Sequence, residues 1–272
     1  MSTTALTADI PHARKRRWSP RLVNAEFLKL RKRRGLVAAV AALTILPMVI
    51  AYIVLLAMHA NDPSKHGPAG GLENFNGSMD VLTTLTVVAA VLLGATLGTG
   101  DLNAGVFREL VVTGRSRLAL YAARIPAGLM VLLVPVAVAF GVTAAASRGF
   151  AGSLEAPSGT LLVQSAAWLA LVAGISMAIA LGVASLFSSR GTSIGILLGW
   201  QLGLMPVLMA IGPLGSLRDA LFYPAADRIQ PAALMDGPPP VSMAVATALV
   251  VLVAWTVIPL ALGAWRTVTR DA

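Results

Sequence analysis

Two short stretches of this 272-residue chain combine acidic, basic and apolar side chains in a way that could do ion-pairing chemistry. One is PRLVNAEFLKLRKRR, Pro20 to Arg34, where Glu26, Phe27, Lys29 and Leu30 precede the basic run Arg31–Arg34. The other is the connection 99–117, TGDLNAGVFRELVVTGRSR, which holds Asp101, Arg108, Glu109, Arg115 and Arg117. Neither has the makings of a catalytic or metal centre. Proton transfer and metal ligation call on converging His, Cys or carboxylate groups. There is no Cys, and His12, His59 and His66 all lie in polar segments. No apolar run pairs a Ser with a His base. No G-x-x-x-x-G-K-[ST] loop occurs, so ATP is not expected to bind here through a P-loop. The expectation is no catalytic residue, no metal and no cofactor of its own. Charged corners on small amphipathic segments instead suit docking to another protein or to an acidic lipid surface.

These stretches are positioned by apolar runs. Charged residues are only 12% of the chain, where a soluble domain carries about 25%, and 57% of the chain is hydrophobic. One core could not hide that much apolar side chain, and a disordered chain would lack it. A hydrocarbon layer of about 30 Å needs about 20 apolar helical residues. Six runs meet this: about 36–58, 81–98, 118–146, 160–187, 192–212 and 241–265. They are continuously apolar, as membrane helices are, and do not alternate as barrel strands do. The start does not read as a signal peptide, because its first apolar run begins at residue 36 and continues too long. The connections are short, so residues 20–272 read as one all-α membrane domain behind a basic tail, 1–19. No internal repeat is evident, which weakens a repeat-built secondary transporter.

The net charge of +9 then becomes an orientation signal. With the N-terminus in the cytoplasm, 17 of the 21 Lys and Arg fall on the inner side, and only Lys65, Arg148, Arg218 and Arg228 on the outer. Lys/Arg bias near helix ends sets topology, so both termini are expected inside. The basic clusters Arg14–Arg17 and Arg31–Arg34 are absorbed by this reading, and no nucleic-acid partner is expected.

No Asp, Glu, Lys or Arg sits near the middle of a run, which argues against ion-coupled transport. The milder polar groups, Thr83, Thr84, Thr86, Thr96, Gln164, Ser165 and Gln201, either bond within and between helices or line a substrate path. Prolines 47, 126, 135, 206 and 259 are expected to kink four of the helices. Gly191, Gly195, Gly199 and Gly203 recur every four residues, a face another helix can approach closely, from this chain or a second copy. Gly94 and Gly98 repeat that spacing once, a weaker signal.

The segment 20–34 suits an interfacial helix starting at Pro20, with Val23, Phe27 and Leu30 on its apolar face and Glu26 mostly off it. In the connection 99–117, Asp101 or Asn103 suits the cap of a short helix containing Phe107, Leu110 and Val111, ended by Gly114. It reads equally as a docking helix or as an ordinary loop helix.

Taken together, the basic AEFLKLRKRR before the first span, then Asp101, Gly105, Phe107, Arg108, Leu110, Gly114, Arg115, Ser116, Arg117 and Arg124 around the second connection, resemble the permease subunits of type-2, exporter-like ABC transporters. Asp101 stands where Glu is commoner, Val106 where Thr is commoner, and TGRSR where many members have a Pro-containing turn. The Ala, Val, Gly and Arg content has an actinobacterial look. The resemblance implies two permease copies, or a related pair, in the lipid of a bacterial cell membrane, each docked to a separate ABC ATP-binding subunit that holds ATP and Mg. It implies that 101–117 contains a coupling helix touching that subunit through Asp101, Gly105, Phe107, Arg108, Glu109, Leu110, Arg115 and Arg117, with the interfacial helix beside it. It also implies an outer cap within 217–236 and export of an apolar or amphipathic substrate. A membrane-embedded enzyme or assembly factor without transport activity is the alternative.

Overall fold

The computed structural model describes residues 19–103, 116–187, 189–235 and 241–269. Among them are nine α-helices and no strand. In chain order these are α1 (Pro20–Lys32), α2 (Arg34–Asn61), α3 (Leu72–Asn103), α4 (Arg117–Gly149), α5 (Gly159–Leu186), α6 (Arg190–Leu198), α7 (Met205–Ala210), α8 (Phe222–Arg228) and α9 (Val245–Thr269). A π-helical turn, Gly199–Leu204, joins α6 to α7, so α2, α3, α4, α5, α6–α7 and α9 make six helices long and apolar enough to span a membrane. Serines start three of them: Ser116, Ser158 and Ser189 each accept a hydrogen bond from the backbone N–H three residues on. The fold is all-α with six candidate spans, as the apolar runs predict.

Two spans differ instructively from their apolar runs. The stretch 59–80 reads as a polar loop, yet α3 begins at Leu72. The sequence LENFNGSMD is polar on average but places Leu72, Phe75 and Met79 on one helical face that continues to Leu82, and Phe75, Met79 and Leu82 are fully buried. Asn74 fastens this start by donating to the carbonyls of Pro68 and Gly70. At its other end α3 runs through Asp101 to Asn103, so Asp101 lies in the closing turn of a long helix and does not open a new one. The second difference concerns proline. α2, α4 and α9 run on through Pro47, Pro126, Pro135 and Pro259. Near Pro206 the α-pattern fails: Met205 N–H bonds to the Trp200 carbonyl five residues back. Pro206 has no N–H for the carbonyl four residues earlier and its ring crowds that turn, and the wider turn relieves both.

α3 and α5 form the centre, with about 67% and 72% of their most apolar windows buried, against 17% for α6–α7 and for α9. Small residues bring the backbones together. A Cβ on Gly94 would lie 2.5 Å from the Met177 carbonyl oxygen and 2.7 Å from Ala180 Cβ, and one on Gly98 would lie 2.7 Å from Ala184 Cβ. α9 meets α5 the same way, where a Cβ on Gly182 would lie 2.3 Å from the Pro259 carbonyl carbon. The weaker glycine repeat is thus a tight joint of the bundle. Gly191, Gly195, Gly199 and Gly203 are exposed, and a Cβ on any of them would meet nothing within 4 Å. The π turn also interrupts their spacing from Gly199 on. No described segment of this chain packs on that face. Outward-facing Ile53, Val134, Val163 and Val250, each more than half exposed, form the apolar coat a bilayer covers.

Candidate functional site

The charged groups collect at the two ends of the bundle. At the first end, α1 packs on α4 and buries Leu22, Val23, Glu26 and Leu30, with Phe27 half-buried. This corrects the face read from spacing: Glu26 lies on the buried side, since 22, 23, 26 and 30 follow the helical repeat and Phe27 sits at its edge. The apolar face of α1 is also covered by protein. Glu26 pairs with Lys29 at 2.9 Å. Arg33 links α1 to α2 in a non-helical conformation, and its guanidinium lies over Gly100, where a Cβ would be 3.3 Å from Nη2. Glu26, Lys29, Arg33, Thr96 and Gly100, with Leu30 and Leu97, surround one small crevice. Across this end, Arg117 donates from Nη1 to the Val268 carbonyl at 3.0 Å, closing the last turn of α9 with a cation. Arg124 is buried on α4. The two flanks of the 101–117 connection are therefore tied to α1 and α9.

Of the residues singled out in that connection, Gly105, Phe107, Arg108, Glu109, Leu110 and Arg115 lie outside the described residues, and of Asp101 only its helical backbone is described. Arg117 is the member whose side-chain contact is on view. Glu26, Phe27, Lys29 and Leu30 sit on α1, brought beside the end of α3 through Arg33 and the crevice.

At the opposite end, the segment 212–235 folds as a 3₁₀ stretch, Gly212–Ala220, broken at Gly215 where φ is +50°, then α8 and a 3₁₀ turn, Ala232–Leu234. Side chains from the bundle hold its backbone. Trp168 Nε1 donates to the Ala226 carbonyl at 3.0 Å, Asn76 Nδ2 to Ala233 at 2.8 Å, and Trp255 Nε1 to Ala220 at 2.9 Å. Arg228 Nε in turn donates to Met243 at 2.8 Å. Tyr223, hydrogen-bonded to Gln201 of the π turn, has its hydroxyl pKa raised by burial. None of these anchors stands out in the sequence, because single Trp, Asn and Arg residues there carry no spacing signal. Nearby, Tyr52 receives a hydrogen bond from Ser78 and bonds to Ser147, joining α2, α3 and α4.

Asp227 on α8 is the titratable group this end perturbs most. Burial first, then the carboxylate of Asp80 on α3, push its pKa from 3.8 up to about 6. A raised carboxyl pKa means the folded state holds the proton more tightly than the unfolded one. Its penalty is therefore present above about pH 6 and fades as pH falls toward 4. The expected result is that α8 becomes more protected from hydrogen exchange between pH 7 and pH 5, by on the order of 1–2 kcal/mol. Asp227→Asn should be equally protected at both, and an unaltered pH response in that variant would refute the assignment.

The polar groups inside the spans mostly serve their own helices. Thr83, Thr84 and Thr96 each donate to the carbonyl four residues back, at 2.7, 3.0 and 2.7 Å. Thr86 and Ser165 hydroxyls are buried without a partner among the described residues. No cluster of His, Cys, Asp or Glu able to hold a metal occurs among the described residues.

A search of curated proteins finds no match to the chain. The family model described as ABC-2 family transporter protein matches residues 22–204. The match takes in α1, the connection 101–117, the first four spans and α6 to the end of the π turn, well over half of the chain. With six apolar helices among the described residues, the chain belongs to the ABC-2 transporter family and is a multi-pass membrane protein, a permease component of an ABC transporter.

Proposed function

We propose that the chain is the translocating subunit of an ATP-driven exporter, working as a pair of copies or with a related permease, each docked to a separate ATP-binding subunit that holds ATP and Mg. The observation that carries this reading is the family match over 22–204 on a chain whose spans hold no central charge. The connection 101–117 serves as the ATPase contact, through Asp101, Gly105, Phe107, Arg108, Glu109, Leu110, Arg115 and Arg117. Support comes from its charged amphipathic character and from its flanks, one of which lies beside Arg33 at the end of α1 and the other of which bonds α9 through Arg117, so that a push there reaches both helices. α1 lies at the inner membrane interface, where Lys29, Arg31 and Lys32 meet acidic headgroups. Both termini are cytoplasmic in a bacterial cell membrane, as the Lys/Arg asymmetry argues. The segment 212–235 then caps the outer mouth, and the uncovered glycine face of α6 is open to a second copy. The cargo is apolar or amphipathic.

The test is reconstitution. The purified chain alone should release no phosphate from ATP, whereas vesicles containing it with its ATP-binding subunit should hydrolyse ATP and move substrate together. Hydrolysis by the chain alone, or substrate uptake driven by an ion gradient without ATP, would sink the proposal.

A further inference from the structure

Between α2 and α3, at the end that carries 212–235, lies a cleft of about 780 Å³, the size of a small-molecule site. Its walls differ in chemistry. α2 contributes Met48, Ala51, Val54 and Leu55, an apolar strip about 10 Å long at 1.5 Å per residue. α3 contributes Glu73, Asn74, Asn76 and Ser78, together with Gly77 and Val81. Glu73 is exposed and makes no ion pair among the described residues, and no Lys or Arg lines the cleft. The amide of Asn76 is fixed in orientation because its Nδ2 donates to the Ala233 carbonyl, which leaves Oδ1 buried with no donor. The polar wall thus offers one carboxylate without a partner, opposite a strip of α2 that offers only apolar contact, while Asn76 Oδ1 is enclosed by the protein.

A ligand matching both walls must bring positive charge and an apolar body. We propose that this cleft binds an ammonium-bearing amphiphile, its NH₃⁺ group on Glu73 with Asn76 adjacent and its apolar portion along α2. A primary ammonium carries positive charge, donors and no acceptor, the complement of the Glu73 carboxylate. A neutral or anionic amphiphile of the same length would gain the apolar wall and leave Glu73 without a partner. Glu73 also sits in the first turn of α3, where a negative charge favours the helix N-terminus. That role alone would be indifferent to the ligand's charge, and this separates the two.

The same chemistry occurs in a phospholipid with a primary ammonium headgroup and in a free single-chain amine. The experiment uses the full chain in phosphatidylcholine nanodiscs and a dodecylammonium probe carrying a mid-chain diazirine, with the matching dodecanol probe as control. Mass spectrometry of the photolabelled peptides should find 48–55 and 73–81 labelled about tenfold more by the ammonium probe, the gain of one charge-assisted hydrogen bond. Glu73→Gln should abolish that preference and Glu73→Asp should keep most of it. Suppression by added phosphatidylethanolamine assigns the site to a lipid headgroup, and labelling unaffected by it assigns a free amphiphile. Equal labelling by the two probes, or an unchanged preference in Glu73→Gln, overturns the proposal. Because no ATPase or transport is involved, its failure leaves the permease reading untouched, and the converse also holds.

Discussion

Gly182→Val will lose most of the folded protein, while Gly195→Val will not. A Cβ at Gly182 would fall 2.3 and 2.4 Å from the carbonyl carbon and oxygen of Pro259, and 2.7 Å from the Leu260 nitrogen. All three are backbone atoms, so no side chain can turn aside; α9 itself must retreat by about 1 Å to reach ordinary contact. It cannot retreat locally, because a Cβ on Gly263 would likewise lie 2.7 Å from the Gly182 carbonyl oxygen. Valine adds two methyl groups to that conflict. Overpacking costs typically 1–3 kcal/mol and more where the backbone must move, a large part of a total of about 5–15 kcal/mol. For a chain of this size the melting temperature should fall by on the order of 10 °C, with a matching loss of monodisperse protein after detergent extraction. Gly195 meets nothing within 4 Å, so valine there should move the melting temperature of the single chain by no more than a few degrees. Equal losses in the two variants would mean that the α5–α9 joint is not as close as described. If a second copy seats on α6, Gly195→Val should instead weaken pairing at unchanged monomer stability.

That contrast marks where the sequence could be read and where it could not. The six spans were legible because twenty-residue apolar runs need no partner to be recognised, and the solvent forces each into a helix. Which helix touches which was not legible. Gly191 to Gly203 has the stronger repeat, yet Gly94, Gly98, Gly182 and Gly263 make the joints, because a spacing describes one surface and a joint needs two. The start of α3 was hidden for a related reason: averaging over polar neighbours erases the face on which Phe75 and Met79 are buried, and only their position along the turn reveals it. Glu26 was misplaced because α1 was read from Val23, Phe27 and Leu30 alone; including Leu22 rotates the face toward it. In the site, the concentration of charge at 20–34 and 99–117 was evident from composition. The anchors of 212–235, Trp168, Asn76 and Trp255, were not, since each acts through one hydrogen bond to a distant carbonyl.

Charge reversal in the 101–117 connection should separate ATP hydrolysis from transport. On the proposed reading, Arg108 faces the ATP-binding subunit, and turning a paired interfacial cation into an anion typically costs 2–5 kcal/mol. In vesicles containing both subunits, Arg108→Glu should therefore lower substrate moved per ATP by at least about tenfold. Amounts of inserted protein should stay at the parental level, because in the sequence Arg108 lies between the apolar runs 81–98 and 118–146. Arg117 needs a separate design, because its Nη1 also closes α9 on the Val268 carbonyl. Arg117→Glu removes that bond, and the anion it places is unfavourable at the C-terminus of α9 but favourable at the N-terminus of α4, so it should cost roughly 1 kcal/mol of stability besides any coupling. Arg117→Lys keeps the charge and loses the planar fork, and a purely structural role predicts that it restores stability and transport together. A coupling role predicts that Arg117→Glu lowers transport per ATP even below the temperature at which α9 loosens, where melting of the variant and the parent no longer differ in populated states. The decisive comparison joins Asp101→Ala, Arg108→Glu and Arg117→Glu in one chain. If that chain still transports at the parental rate per ATP, the contact with the ATP-binding subunit lies elsewhere, and α1, with Glu26 and Lys29 beside Gly100, becomes the surface to reverse next.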